Sequence, residues 1–367
     1  MKLIRNTVLA TVGGVLLTGC NAFKDDLPEC QTVINFTYTM NMDFEDQFAQ
    51  SVHCLDLYIF KVTEVTKAEG SKHTTLLPEF NTSIDNNDLI KNGGFSVSLK
   101  LDEGEYQAVV YGGMACSEAS FALTNLMNTD DDISVEDLSV ALNKDLYFDG
   151  SDDTPNYDDD IDRSNLELHN HFYGTTSFTV NAQGNSDTPA VTVDLMRNTN
   201  TINLYVVDKD RYSLDAANYH FFILDDNNTM NHENMLTTSG EIAYRPYFKD
   251  NVTHDIEGST YFGWPAAKAS FTVSKLSANR NPQIIICDKN YNVLENGTKD
   301  LLPILKKSMD QDDRTANMDN PNSFQEYLNR QNEWSITAEI DVVKNTVLGI
   351  TIKVRDWEVR IDNIEVF

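Results

Sequence analysis

Phe95-Ser96-Val97-Ser98-Leu99-Lys100-Leu101-Asp102-Glu103-Gly104-Glu105-Tyr106-Gln107-Ala108-Val109-Val110-Tyr111 carries the clearest structural signal in this chain of 367 residues. Phe95, Val97, Leu99 and Leu101 alternate with Ser96, Ser98 and Lys100. Side chains on a strand point to opposite faces in turn, so a period of two predicts a strand with one buried face. Asp102-Glu103-Gly104 is turn chemistry, and the residues from Glu105 to Tyr111 resume with β-branched and aromatic side chains. Residues 95–111 are therefore expected to form a β-hairpin.

The same style extends in both directions. Ile34, Phe36, Tyr38 and Met40 alternate with Asn35, Thr37 and Thr39, and Leu55 to Phe60 follows as a strand. Between them, Asn41 to Ser51 allows one or two helical turns, with Phe44 and Phe48 four residues apart. Lys67 to Asn92 reads as polar and irregular. Ser134-Val135-Glu136-Asp137 has capping-box spacing and predicts a short helix to Leu142. An acidic loop at 149–162 precedes strands near Ser177–Val180 and Val191–Leu195. Met196-Arg197-Asn198-Thr199-Asn200 breaks the pattern, and Ile202, Leu204 and Val206 resume it.

That interruption is the expected domain boundary, giving units at 32–197 and 198–367. The second unit continues with strands at Phe221–Leu224, Ser270–Val273, Gln283–Ile286, Ser335–Ile340, Leu348–Val354 and Trp357–Ile361. A helix is expected around Asn322–Asn332. Many short strands with few short helices predict an all-β chain built of β-sandwiches.

The N-terminus adds a different kind of signal. Lys2 and Arg5 precede an apolar run from Thr7 to Leu17, too short for a bilayer span, which takes about 20 residues. Basic, apolar and small residues in that order make residues 1–19 a secretory signal. Leu17-Thr18-Gly19-Cys20 resembles a bacterial lipobox, whose cysteine is acylated and becomes the first mature residue. Cys20 is thus the expected lipidation site, and 20–31 the tether to a membrane. Lys24-Asp25-Asp26 resembles the export signal of surface-displayed lipoproteins in the Bacteroidetes.

Removing residues 1–19 leaves 348 residues and moves the formal charge from -29 to -31, since that segment holds Lys2 and Arg5 and no acid. So acidic a surface argues against nucleic acid or an anionic bilayer face as partner. Four cysteines remain beside Cys20: Cys30, Cys54, Cys116 and Cys287. In an exported chain they allow three disulfide connectivities. Cys30 and Cys116 flank expected strands and are the favoured pair, while Cys287 ends an apolar run and reads as a buried thiol.

Motifs for catalysis or metal binding do not assemble. Asp158, Asp160 and Asp162 open like an EF-hand loop, but Arg163 and His169 stand where glycine and glutamate are needed, so a solvated acidic loop is the better reading. His169 and His171 would share a strand face without a recognisable third ligand. No His-Glu-x-x-His, Gly-x-Ser-x-Gly or phosphate-cradling glycine loop occurs. No cofactor and no enzymatic activity are expected. Trp264, Trp334 and Trp357 could stack on sugars, but Trp357, alternating with Val359 and Ile361, reads as core.

Several segments together resemble the FimB-type fimbrial anchor proteins, the fimbrillin-associated lipoproteins of Bacteroidales. They are Val33-Ile34-Asn35-Phe36-Thr37-Tyr38-Thr39-Met40-Asn41-Met42 with Leu57-Tyr58-Ile59-Phe60, Gly104-Glu105-Tyr106 with Tyr111-Gly112-Gly113-Met114, and Phe172-Tyr173-Gly174. Met196-Arg197-Asn198-Thr199-Asn200 and Glu326-Tyr327-Leu328-Asn329-Arg330-Gln331-Asn332-Glu333-Trp334 complete the series. Gly112-Gly113-Met114 replaces a commoner Gly-Leu, and Asn329 a commoner aspartate.

The resemblance implies two tandem transthyretin-like β-sandwich domains in a lipid-anchored protein of the outer-membrane surface. It implies a role of anchoring a fimbria and ending its polymerisation by binding the adjacent pilin subunit. Strand addition to an exposed edge would serve that binding. The terminal stretch offers such an edge, with Trp357, Val359 and Ile361 on one face and Ile364 and Val366 resuming the pattern beyond Asp362-Asn363. A surface glycan-binding lipoprotein is the alternative, since it shares the tether, the sandwiches and scattered aromatics.

Overall fold

The computed structural model describes residues 31–64, 72–77, 82–85, 95–114, 120–124, 133–143, 167–181, 191–237 and 240–361. The chain is all-β with three short α-helices among these residues. The first sheet is built from β1 (Thr32–Met40), β2 (Cys54–Glu64), β3 (Lys72–Leu76), β4 (Thr82–Asp85), β5 (Ser96–Leu99) and β6 (Gly104–Gly112). Beyond a short β7 (Phe121–Leu123) and β8 (Ser139–Leu142), it takes in β9 (Phe172–Val180) and β10 (Val191–Arg197). Its order is β3-β2-β6-β9-β10-β1-β5, with β4 also on β2. All its pairs are antiparallel except β1 with β10, which run parallel.

The second sheet starts after β10 with only Asn198 and Thr199 between. It comprises β11 (Asn200–Asp208), β12 (Tyr219–Asp225), β14 (Ile242–Tyr244), β15 (Phe248–Thr253), β16 (Pro265–Val273), β17 (Gln283–Asp288) and β18 (Val293–Asp300). It ends with β19 (Glu333–Asp341), β20 (Thr346–Val354) and β21 (Trp357–Ile361). The order is β14-β12-β17-β18-β20-β19-β11-β16-β15, with β21 also on β20. A small third sheet, β13-β8-β7, joins β13 (Thr229–Asn231) to the two short strands of the first half.

Alternation sorts the side chains as the sequence pattern predicts. On β2, Leu55, Leu57 and Ile59 enter one core cluster with Ile34, Phe36 and Tyr38 of β1. Tyr58 and Phe60 point the other way, into a larger cluster with Ile202, Leu204, Phe271, Ile284, Ile286, Ile336 and Ile352. The larger core is therefore shared by both sheets.

The expected hairpin at 95–111 does not form. Both strands exist, but β5 pairs with β1 and β6 pairs with β2 and β9. Leu99, Leu101, Tyr106 and Ala108 still enter the same core cluster. The two strands thus meet through side chains across the core instead of through a hydrogen-bond ladder. At the crossover the Tyr106 hydroxyl donates to the Asp102 carbonyl at 2.8 Å, the geometry of a tyrosine corner.

Other local expectations also change. Two strands, β3 and β4, lie within the stretch read as irregular, because β2 is long enough to seat both along one edge. The capping box at Ser134 is real, yet it starts only a 3-10 turn at Val135–Asp137, and Ser139–Leu142 pairs as a strand with β7 and β13. Of the helices, α1 is Phe48–Ser51, α2 is Leu301–Met309 and α3 is Phe324–Arg330, the last inside the expected 322–332. The sequence pattern did not reveal α2. Pro303 reads as a breaker, but it falls in the first turn, where no amide partner is required.

Candidate functional site

β21 is the last described strand, entered through Arg355-Asp356, with Arg355 at φ 48°. Its register on β20 runs from Val354↔Trp357 to Ile350↔Ile361, antiparallel. Among the described strands β20 is its only partner, and none of them pairs with the outer edge of β21. Val359 and Ile361 are half-buried against the large core. Trp357 is 61% exposed, contrary to its expected core position. It opens the strand, ahead of the two residues of that face that reach the core.

The opposite face of β21 is fastened down. The Glu358 carboxylate accepts from Ser259 Oγ at 2.5 Å, from the Thr260 amide at 2.8 Å and from Thr260 Oγ1 at 2.5 Å. Burial alone would raise this carboxyl, but these bonds and the nearby Lys353 charge outweigh it and hold the group below its usual range. Arg360 pairs with Glu339 at 2.7 Å and donates to the Tyr261 hydroxyl at 3.2 Å. Lys353 reaches the Gly258 carbonyl at 3.4 Å. The loop is held from below by His254, fully buried, with Nε2 2.9 Å from Thr337 Oγ1. Sequence reasoning missed this clamp, since Glu358 and Arg360 read simply as outward residues; only their alternation with the apolar trio hinted at a second face.

The segments that carry the family resemblance converge elsewhere, at the junction of the two sheets. The Tyr38 hydroxyl donates to Asn332 Oδ1 at 3.3 Å, and Arg330 donates to the Thr39 carbonyl at 3.3 Å while lying over the Phe44 ring. Asn198 and Thr199, between β10 and β11, are fully buried. Asn198 Nδ2 donates to Asn234 Oδ1 and to His171 Nδ1, so the His171 proton sits on Nε2. Burial, then the charge of Lys275, hold His171 neutral, with its pKa down to about 3. Lys275 donates to the Asn234 carbonyl at 2.7 Å, and burial lowers it to about 8. Gly174 is required here: a Cβ would lie 2.7 Å from side-chain carbons of Leu195 and Val193.

Other singled-out residues scatter. His171 is stacked on Phe121 and Tyr111 inside the core, while His169 lines an open surface pocket with His53, Glu167 and Asn170. They precede β9 and do not share a strand face. Among the described residues no group of three or more His, Cys, Asp or Glu is placed to hold a metal. Cys287 is a free, buried thiol, and Cys54 is disulfide-bonded. Trp334 is buried and Trp264 lies under Arg211. Cys20, Cys30, Cys116, Ile364, Val366 and the acidic loop at 149–162 lie outside the described residues.

With this architecture in place, comparison with known proteins gives a consistent answer. The family model of the fimbrillin-A associated anchor proteins Mfa1 and Mfa2 matches residues 27–363, and the chain belongs to that family. The fold is shared with the fimbrial anchor protein Mfa2 from Porphyromonas gingivalis, at 14% identity and TM-score 0.56, covering 89% of this chain and 98% of that one. A candidate adhesin from Bacteroides thetaiotaomicron matches at 23% identity and TM-score 0.68, covering 92% of this chain and 100% of its own. A candidate polysaccharide-binding protein from the same species matches at 19% identity and TM-score 0.64, covering 91% and 99%. A search of curated proteins finds no match. The protein is therefore a fimbria-associated one.

Proposed function

We propose that this chain is a lipid-anchored protein of the outer-membrane surface that holds the base of a fimbria by binding the adjacent pilin subunit, and so limits polymerisation. It acts by association and not by turnover. The tether is Cys20, and the units 32–197 and 198–367 are the two domains, a division supported by the change of sheet between Arg197 and Asn200.

The observation that carries the reading is the outer edge of β21, which pairs with none of the described strands. An unpaired strand edge invites a further strand unless it is blocked. The edge strand β15 presents Lys249, Asp250 and Asn251, which discourage pairing. β21 instead presents an exposed Trp357 and half-buried Val359 and Ile361, with its polar residues tied to the loop between β15 and β16 and to Glu339 of β19. An aromatic anchor beside an open ladder is suited to a partner strand with alternating apolar side chains.

The test is capture of the fimbrial subunit purified from the same cells. Trp357→Ser and a chain shortened after Ile361 are compared with the intact protein, with melting temperature measured on each. Loss of capture by a variant that melts like the parent supports the edge. Full capture by both variants places the interface elsewhere, and binding on a glycan array without any subunit capture replaces the anchor reading.

A further inference from the structure

We propose that β1 is a force-bearing strand, loaded in shear when tension runs between the N-terminal tether and a neighbour held by the second sheet. The inference rests on the anchor reading for its purpose but not for its geometry.

The geometry follows from strand direction alone. β1 runs parallel to β10, with Ile34↔Val191, Asn35↔Thr192, Phe36↔Val193, Thr37↔Asp194 and Met40↔Met196 in register. On its other side β5 pairs with Thr32 to Asn35, so β1 is an interior strand. β10 leads into β11 and the second sheet with only Asn198 and Thr199 between. A pull on the N-terminus draws β1 toward its own start. A pull on the second sheet draws β10 toward its own end. In parallel strands these directions oppose each other along one axis, so the ladder bonds share the load instead of opening singly.

The far end of β1 is also fixed to the second half, through Tyr38 to Asn332 and through Arg330 to the Thr39 carbonyl. Where the β1–β10 register shifts between Thr37 and Met40, a side chain replaces the ladder. The Asp194 carboxylate accepts from Thr37 Oγ1 at 2.9 Å, the Thr39 amide at 2.8 Å and Thr39 Oγ1 at 2.5 Å. Bonds to a charged acceptor are the stronger kind. Asp194 is exposed, so water replaces its bonds at equilibrium and its loss costs little stability. Under shear the same bonds lie directly across the sliding interface.

The experiment is single-molecule pulling on the mature chain, with one handle on the residues preceding β1. The second handle is placed through Val343→Cys, in the exposed turn between β19 and β20. Forced unfolding reports the unfolding barrier, not the equilibrium stability. Asp194→Ala is expected to lower the first rupture force about 1.5-fold, since it removes three charge-assisted cross-strand bonds, with the melting temperature held within about 2 °C. Thr39→Val, which deletes one of those bonds, should lower it less and serves if Asp194→Ala does not fold. Asp288→Ala, at the end of β17, should leave the force unchanged.

Moving the second handle to Glu103→Cys pulls from the end where Thr32 faces Leu99, so β1 peels from β5 one pair at a time. That force is expected to be severalfold lower. Equal forces from the two handles, or equal effects of Asp194→Ala and Asp288→Ala, would overturn the proposal. Subunit capture is measured separately, so an anchor without a shear clamp and a clamp without an anchor give different results.

Discussion

The side-chain amides of Asn198 and Asn234 bond each other in both directions, at 2.8 and 3.0 Å, in a site closed to solvent. Asn198 lies in the two-residue link between the sheets, and Asn234 follows β13, with φ 60°. Their pairing explains why two polar residues sit inside a core: each satisfies the other, and His171 and Lys275 complete the set. The junction between the halves is thus a specified contact and not a loose linker.

Asn198→Ala is expected to destabilise the protein by about 2–4 kcal/mol, because it leaves Asn234 and His171 unpaired in a buried site. Equilibrium unfolding in denaturant checks this. A loss under 1 kcal/mol would mean that water enters the junction and repairs it.

Asp225 gives the stability a pH dependence. Burial, opposed in part by the Asp226 amide and Arg280, pushes its carboxyl up to about 7, and one oxygen has no partner. The folded state therefore holds a proton that the unfolded state has released. The stability from neutral Asp225 is complete below the unfolded value and is lost as pH rises through about 7. Asp225→Asn removes that loss, so its melting temperature should gain on the parent by about 2–4 °C between pH 5 and pH 9. A constant difference across that range would show that Asp225 stays ionised in the fold.

Tyr106→Phe removes only the hydroxyl that reaches the Asp102 carbonyl. The expected cost is about 1 kcal/mol, that of one such bond in a partly buried corner. The ring, buried and stacked on Phe178, should keep its packing, so near-ultraviolet circular dichroism should stay close to the parent.

Cys20→Ala is expected to leave a folded protein that is no longer acylated and no longer sediments with membranes. Retention in the membrane fraction through a high-salt, detergent-free wash would contradict lipidation at that residue. If tethering also limits growth, fimbriae in the variant should be longer or shed into the medium.

What could be read in advance, and what could not, divides along a physical line. A period of two states which side chains turn inward, because burial acts on each residue through its own pleat. Ile34, Phe36, Leu55, Leu57, Val97 and Leu99 needed no partner to be recognised as strand residues. The break read at Met196 to Asn200 shrinks to Asn198 and Thr199, because β10 runs through Arg197 and β11 starts at Asn200. The N-terminal signal and Cys20 rest on local order of charge and apolarity alone and lie outside the described residues.

Partner choice is another matter. The same alternation that identifies β5 and β6 is satisfied equally by a hairpin and by two strands facing each other across a core. Only the competing pairs, β1 with β5 and β2 with β6, decided between them. Trp357 shows the same limit at a single residue. Its place in the alternation was right, but exposure depends on whether other described residues cover that end of the face, and Trp357 is left 61% exposed. Local periodicity determined the faces of this protein. Its strand partners, its buried polar junction and the exposure of Trp357 were set by tertiary packing, because they depend on segments that are distant in the sequence and meet only in the fold.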